Sequence, residues 1–442
     1  MEKILTVSRR QFLALAGVST ATLVGSPLQA LYTCAQAGQS SEGQGYGPLI
    51  ADPGGLLDLP RGFQYRVFSR TGDPMSDGYP VPGAHDGMAA FAGPDDTTIL
   101  VRNHELSPDG SIAAVSPHYD PRCLGGTTTL IVDHNRQLVR HYTSLAGTYR
   151  NCAGGPTPWN SWISCEENTS TPASDPAVTQ RHGYVFEVPA AASGPVTPVP
   201  LTAMGRFNHE AVAVDPLTGI VYLTEDRLDG LFYRFIPQQP GQLQQGGILE
   251  ALKIKGKAQA VTQSGFAIGQ TLPVEWVRID EPDPAEDTVR IEGFAKGAAQ
   301  FSRGEGIWFG DGRGPTGGHR DLYFCCTNGG QAALGQIWRY EPGASGAEGG
   351  TLSLFVEPND SGVLDYPDNI TVSPFGDLYV CEDGWNQQYI RGITREGQLY
   401  PFARNALNTS EFTGVCFGTH PLTLFLNIQT PGITFAIWGP FV

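Results

Sequence analysis

Residues 208–227 read "NHEAVAVDPLTGIVYLTEDR". Two short apolar runs, Ala211 to Val214 and Ile220 to Leu223, flank the turn Asp215-Pro216-Leu217-Thr218-Gly219. In such a turn proline presets φ and glycine supplies a positive φ, so the stretch predicts a β-hairpin. Apart from Asp215 in the turn, its acidic groups stand at the outer ends, in His209-Glu210 and Glu225-Asp226-Arg227. Antiparallel pairing puts the start of one strand beside the end of the next, so Glu210, Glu225 and Asp226 are expected on one face.

The same pattern recurs along the chain. Apolar runs with polar or acidic caps appear as "TILVRNHE" ending at Glu105, "SWISCEEN" at Asn168, "IVYLTEDR" at Arg227, "DLYFCCTNGG" at Gly330, "DLYVCEDG" at Gly384 and "TLFLNIQ" at Gln429. Each is preceded by a partner: "HDGMAAF", "NCAGGPTPW", "NHEAVAV", "GEGIWF", "DNITVS" and "EFTGVCF". Irregular repeats of about 40–60 residues with several strands each point to a β-propeller. The copies predict an all-β fold, a six-bladed β-propeller with a metal site at the mouth of the central channel. One domain is expected over 45–442, with an insertion at about 240–300 whose "DPAEDTVRIEGFAKGAAQF" has helical spacing.

If each partner strand lines the channel, His85-Asp86, Asn151, Glu210, Glu305, Asp368 and Glu411 form a ring. Glu105, Cys165-Glu166-Glu167, Glu225, Asp226, Glu382 and Asp383 then form a second circle around it. Crowded carboxylates either take up protons or bind cations. Oxygen donors suit Ca²⁺, whereas a thiolate such as Cys165 suits a transition metal such as iron or zinc. Arg303, two residues before Glu305, is placed by strand alternation on the same side, where a guanidinium can bind phosphate or neutralise a neighbouring acid. Arg150 and Arg227 are lesser candidates of the same kind.

Composition agrees with a turn-rich all-β chain: 442 residues carry 56 Gly and 34 Pro, and only 16% are charged. A formal charge of −16 argues against nucleic acid or an anionic membrane surface as the main partner. No run after the N-terminus is long enough to span a bilayer. The N-terminus pairs Arg9-Arg10 with an apolar run from Phe12 to Val24, which predicts a Tat-type signal over 1–37 and a periplasmic or secreted protein. Seven cysteines follow Cys34, so at least one is unpaired. His85, His104 and His209 read as supporting donors behind the ligands or as packed strand-end residues rather than as ligands. The chain has no HExxH, CxxC, GxSxG or phosphate-loop motif.

Taken together, "NCAGGPTPWNSWISCEEN", "GRFNHEAVAVDP", "YLTEDR", "GEGIWF", "CTNGG", "DNITVSPFGDLYVCEDG" and "EFTGVCF" with "LFLNIQTPG" resemble the PhoX family of bacterial alkaline phosphatases, from about residue 45 to the C-terminus. The resemblance implies a six-bladed propeller holding Fe³⁺ and Ca²⁺ and hydrolysing phosphomonoesters, with a small-molecule phosphoester as partner and a monomeric state. It implies iron ligation by Cys165, Glu210 and Glu305, calcium ligation by Asp368, Glu411 and Glu166, and phosphate binding by Arg303. The family tends to carry a lysine just before "TPW", where this chain has Gly155-Pro156-Thr157. Two other readings stay open on the residues alone: a Ca²⁺-dependent lactonase or phosphodiesterase on a similar propeller, and a non-catalytic propeller tied together by calcium.

Overall fold

The computed structural model describes residues 45–310, 321–343, 349–419 and 421–442. The signal read at 1–37 lies outside them. Every hairpin expected from the repeat is present. The first strands are His85–Ala92, Asn151–Pro156, His209–Val214, Gly304–Phe309, Pro367–Val372 and Phe412–Thr419. Their antiparallel partners are Thr98–His104, Ser161–Glu166, Val221–Glu225, Leu322–Cys326, Leu378–Glu382 and Leu422–Ile428.

The fold is all-β and propeller-like. Each first strand packs against the first strand of the next hairpin, and Phe412–Thr419 packs back against His85–Ala92, so these six close a ring. Further strands are added outward. The third and fourth units are joined edge to edge, because Thr271–Arg278 pairs with Gly247–Ile254 on one side and Thr351–Val356 on the other. The described strands therefore form five hydrogen-bonded sheets, one of them with ten strands, nine along its path and Gln300–Phe301 off it. N-terminal strands complete two of the others: Leu57–Pro60 pairs with Leu399–Asn405, and Gln64–Arg70 pairs with Ile433–Trp438.

The interior lies between neighbouring sheets. Tyr222, Phe232, Phe324, Trp338 and Tyr340 are buried in one such layer, where the Phe232 and Phe324 rings stack at 4.5 Å. The segment read as an insertion is only partly one. Gly247–Ile254 is the strand that follows Gly230–Pro237 in its sheet, and the segment holds a 3₁₀ turn at Leu243–Gln245 and an α-helix at Val289–Ala295. No helix among the described residues is long and apolar enough to cross a membrane.

One local feature recurs in all six hairpins. The pairing register shifts close to the start of the first strand, between His85 and Met88, Asn151 and Gly154, His209 and Val212, Gly304 and Ile307, Pro367 and Ile370, and Thr413 and Cys416. Such a β-bulge bends a strand and re-aims the side chain it carries. The next residue is often glycine for want of space. A Cβ on Gly306 would lie 2.6 Å from the Asp368 carbonyl oxygen, and one on Gly87 would lie 2.5 Å from the Ala153 Cα.

Candidate metal centre

The hairpin register sorts the candidate residues into equivalent positions. In each hairpin the residue after the second strand donates its N–H to the carbonyl of the residue before the first: Glu105 to Ala84, Glu167 to Arg150, Asp226 to Asn208, Thr327 to Arg303, Asp383 to Tyr366 and Gln429 to Glu411. Counting from these bonds, the second residues of the first strands are Asp86, Cys152, Glu210, Glu305, Asp368 and Thr413. Five of those six could ligate a metal, and they sit where the bulge turns the side chain.

These residues converge. Donor atoms lie within 4.8 Å of one another in four groups: Asp86 with Glu105 and Cys152, Cys152 with Glu167 and Glu210, Glu210 with Glu305 and Asp368, and Asp368 with Asp383 and Glu411. Cys152, Glu210 and Asp368 are each shared, so the groups run on as one arc. Polar side chains of neighbouring hairpins hold the strands in place. Asn103 donates to the Cys152 carbonyl at 3.0 Å, Thr224 to that of Glu305 at 2.6 Å, and Asn427 to that of Asp86 at 2.9 Å.

Glu166 does not join the ring. Successive strand residues face opposite ways, and its carboxylate points back into the sheet. There it accepts the N–H groups of Tyr149, Gly183 and Tyr184 and meets His182 Nδ1 at 2.7 Å. Glu225 and Glu382 stand at the same position. They bind Tyr233 with the Leu231 amide, and Arg391 with the Asp365 amide. In "CEEN", "TEDR" and "CEDG" the first acid anchors the sheet and the second faces the ring: Glu167 and Asp383 join its donor groups, and Asp226 meets Arg303.

Cys165 also lies outside the four groups. It is buried among Ile163, Val185, Leu201 and other apolar residues, with Glu210 the nearby charge. The thiol of the ring is that of Cys152, which donates to Glu167 Oε2 at 3.0 Å. "NCAGG" begins its strand one residue before the cysteine, just as "NHEAV" reads His209 before Glu210, and this offset is the signal in the sequence. Asn151 instead bonds Ser164 and Thr148. Glu411 reaches the ring from a different repeat position, that of Arg150 and Arg303.

Arg303 donates through Nε and Nη2 to Asp226 at 2.9 and 3.0 Å, and through Nη2 to Glu305 at 2.8 Å. Arg150 bridges Glu105 at 2.9 Å and Glu167 at 2.6 Å in the same way. Both adopt left-handed backbone, φ 52° and 50°, as do Ala84 and Tyr366 at the equivalent position. Such strain persists only where the surroundings enforce it and clusters at functional sites.

The donor set fits cations. The four groups hold eight carboxylates and one thiol, against the guanidiniums of Arg150 and Arg303. Burial, then the neighbouring carboxylates, push Asp86, Glu210, Glu305 and Glu411 far above the usual carboxylate range. Burial also lifts Asp368 to about 6, Asp383 to about 7 and Glu167 to about 8. Burial and the charges of Glu105, Glu167, Glu210 and Asp86 raise the Cys152 thiol. In the absence of metal the ring must therefore retain protons, and bound cations would take their place.

No described histidine belongs to the four groups. His85, His104 and His209 bond the carbonyls of Pro82, Gly83 and Gly205, and burial pushes their pKa values down. All seven described cysteines are free and buried.

Residues 44–432 match the family described as Alkaline phosphatase PhoX. The chain belongs to the PhoX family. Membership makes it a metal-dependent phosphatase, in keeping with its candidate metal-binding clusters. Among solved structures it is similar to Pseudomonas fluorescens PhoX in complex with vanadate, at 18% identity and a TM-score of 0.68, covering 89% of this chain and 97% of that one. That likeness shows a shared fold. A gluconolactonase from Xanthomonas campestris aligns at 12% identity and a TM-score of 0.45, over 90% and 100% of the two chains. No curated protein sequence matches the chain.

Proposed function

We propose that this PhoX-family protein is an alkaline phosphomonoesterase whose ring holds Fe³⁺ together with Ca²⁺. The observation that carries the reading is the overlap of four donor groups on Cys152, Glu210 and Asp368, with Arg303 fixed beside Glu305. A thiolate favours a transition metal, so Cys152, Glu210 and Glu305 are assigned to iron. Asp86, Asp368, Asp383 and Glu411 offer the oxygen-only surroundings that calcium takes.

Cations held there supply Lewis acidity and lower the pKa of bound water. The chain's own residues do the rest. Arg303, clamped by Asp226 and Glu305, presents a preset guanidinium to the equatorial phosphoryl oxygens. Arg150, in the matching place of another hairpin, adds a second positive group and so offsets the lack of a lysine before "TPW". No side-chain nucleophile is needed.

The closed ring of six first strands supports six blades, with the two edge-joined units counted separately, and a single domain over 45–442. The twin arginine at Arg9-Arg10 supports Tat export of a folded protein. The test is metal analysis of exported protein alongside turnover of a simple phosphomonoester at alkaline pH. Iron and calcium in whole-number ratios, with activity lost on chelation and regained with Ca²⁺, are expected. Metal-replete protein that releases no phosphate would refute the proposal.

A further inference from the structure

Behind the ring, Asp120, Cys123 and His182 form a separate group whose ligand atoms also lie within 4.8 Å of one another. It belongs to none of the four groups of the arc. His182 and Asp120 have no exposed side-chain surface, and Cys123 is equally buried. On one side of the imidazole, Nδ1 closes on Glu166 Oε1 at 2.7 Å, a normal distance for a charge-assisted bond. On the other side Nε2 stands 3.4 Å from Asp120 Oδ2 and 3.5 Å from Cys123 Sγ. A single N–H aimed at a carboxylate would close to about 2.7–2.9 Å, and one proton cannot serve both acceptors well.

Those two separations match the edges of a coordination tetrahedron. Bonds of about 2.0–2.3 Å to zinc put nitrogen, oxygen and sulfur donors about 3.3–3.7 Å apart. The surroundings are also those of a metal ligand. Glu166 on Nδ1 fixes the tautomer that leaves Nε2 free to ligate, the carboxylate–histidine arrangement that orients metal-bound imidazoles. Asp120 is held still by the amides of Arg122, Thr179 and Gln180 and by the Thr179 hydroxyl.

We propose that Asp120, Cys123 and His182 form a structural site for one borderline divalent cation of the zinc class, distinct from the ring. Binding displaces the Cys123 thiol proton, and any proton on His182 Nε2, to solvent. The ion would tie the loop after Glu105 to the loop before Val185–Pro189 and, through Glu166, brace the strand end that presents Glu167. It would support the ring without touching substrate.

The test uses the full chain produced with zinc supplementation, as wild type, Cys123→Ser and Cys152→Ser. Wild type should hold about one zinc that survives chelation strong enough to strip calcium. Cys152→Ser should keep that zinc and Cys123→Ser should lose it, with Cys123→Ser turning over a phosphomonoester within about twofold of wild type but melting at a lower temperature that no longer responds to zinc. Should Cys123→Ser fail to fold, cobalt loading of Cys152→Ser decides instead, since a thiolate-to-cobalt absorption band must remain. Zinc retained by Cys123→Ser, or a Cys152→Ser protein with neither zinc nor the cobalt band, overturns the proposal.

Discussion

Glu166 and Glu167 are consecutive in the chain and face opposite ways: one carboxylate meets His182 inside the sheet, the other meets Arg150 and Cys152 at the channel mouth. Their amides should therefore behave differently. Glu167→Gln is expected to lower turnover on the order of a hundredfold with the melting temperature little changed. Glu166→Gln breaks a buried charged network and should destabilise the fold by about 3 kcal/mol. Melting curves alongside phosphatase assays separate the two, and equal effects on both properties would contradict the assignment.

Two cysteines offer a second contrast. Cys152→Ser should lose iron, together with any thiolate-to-iron absorption, while remaining folded. Cys165→Ser buries a hydroxyl among apolar side chains, at a cost of about 1–3 kcal/mol, and should keep the metal content of wild type. Elemental analysis of both variants checks this, and the reverse pattern would restore Cys165 as the ligand.

Arg303→Lys is not conservative here. A lysine cannot hold Asp226 and Glu305 together while offering a planar donor edge. Turnover should fall by about 10²–10³, with calcium content preserved. A variant as active as wild type would remove Arg303 from phosphate binding.

The ring also sets a pH dependence. In metal-free protein Asp368, Asp383 and Glu167 have pKa values raised to about 6, 7 and 8, against about 4 when unfolded. The native state then binds more protons than the unfolded state between these limits, so stability falls as pH rises through them. The melting temperature of chelated protein should drop steadily from about pH 4 to pH 8, and Ca²⁺ should raise it more at pH 8 than at pH 5. A flat profile in chelator would show that the ring carries no such strain.

Gly306→Ala tests the bulge. The added methyl would strike the Asp368 carbonyl at 2.6 Å and the Asn369 Cα at 2.7 Å, where backbone must move. A loss of about 1–3 kcal/mol is expected, with weaker metal retention because Asp368 shifts. Full metal occupancy at wild-type stability would show that the strands can part without harm to the ring.

Much of this was legible beforehand. Apolar runs with turn residues between them placed every hairpin, and the repeat of first strands placed Glu210, Glu305 and Asp368 in one ring. Which of two adjacent acids faces the channel was not legible, because a one-residue change of register reverses every side chain and the bulge shifts register at that very point. The family resemblance carried Glu166 and Cys165 over as ligands, but Glu167 stands where Glu166 was expected, and the ring thiol, Cys152, lies on the other strand of that hairpin. The joining of two units by Thr271–Arg278 has no local sequence signal, since it depends on partners about 80 residues apart, such as Leu272 and Leu352.

The pairing of Gln64–Arg70 with Ile433–Trp438 bears on the protein's birth. The ring of first strands closes where Phe412–Thr419 meets His85–Ala92, so a nascent chain that has not reached that strand has carboxylates but no closed basin to hold ions. Cation capture would thereby wait for the sixth hairpin, and a chain cut before Glu411 would lack that hairpin and one of the ring's carboxylates.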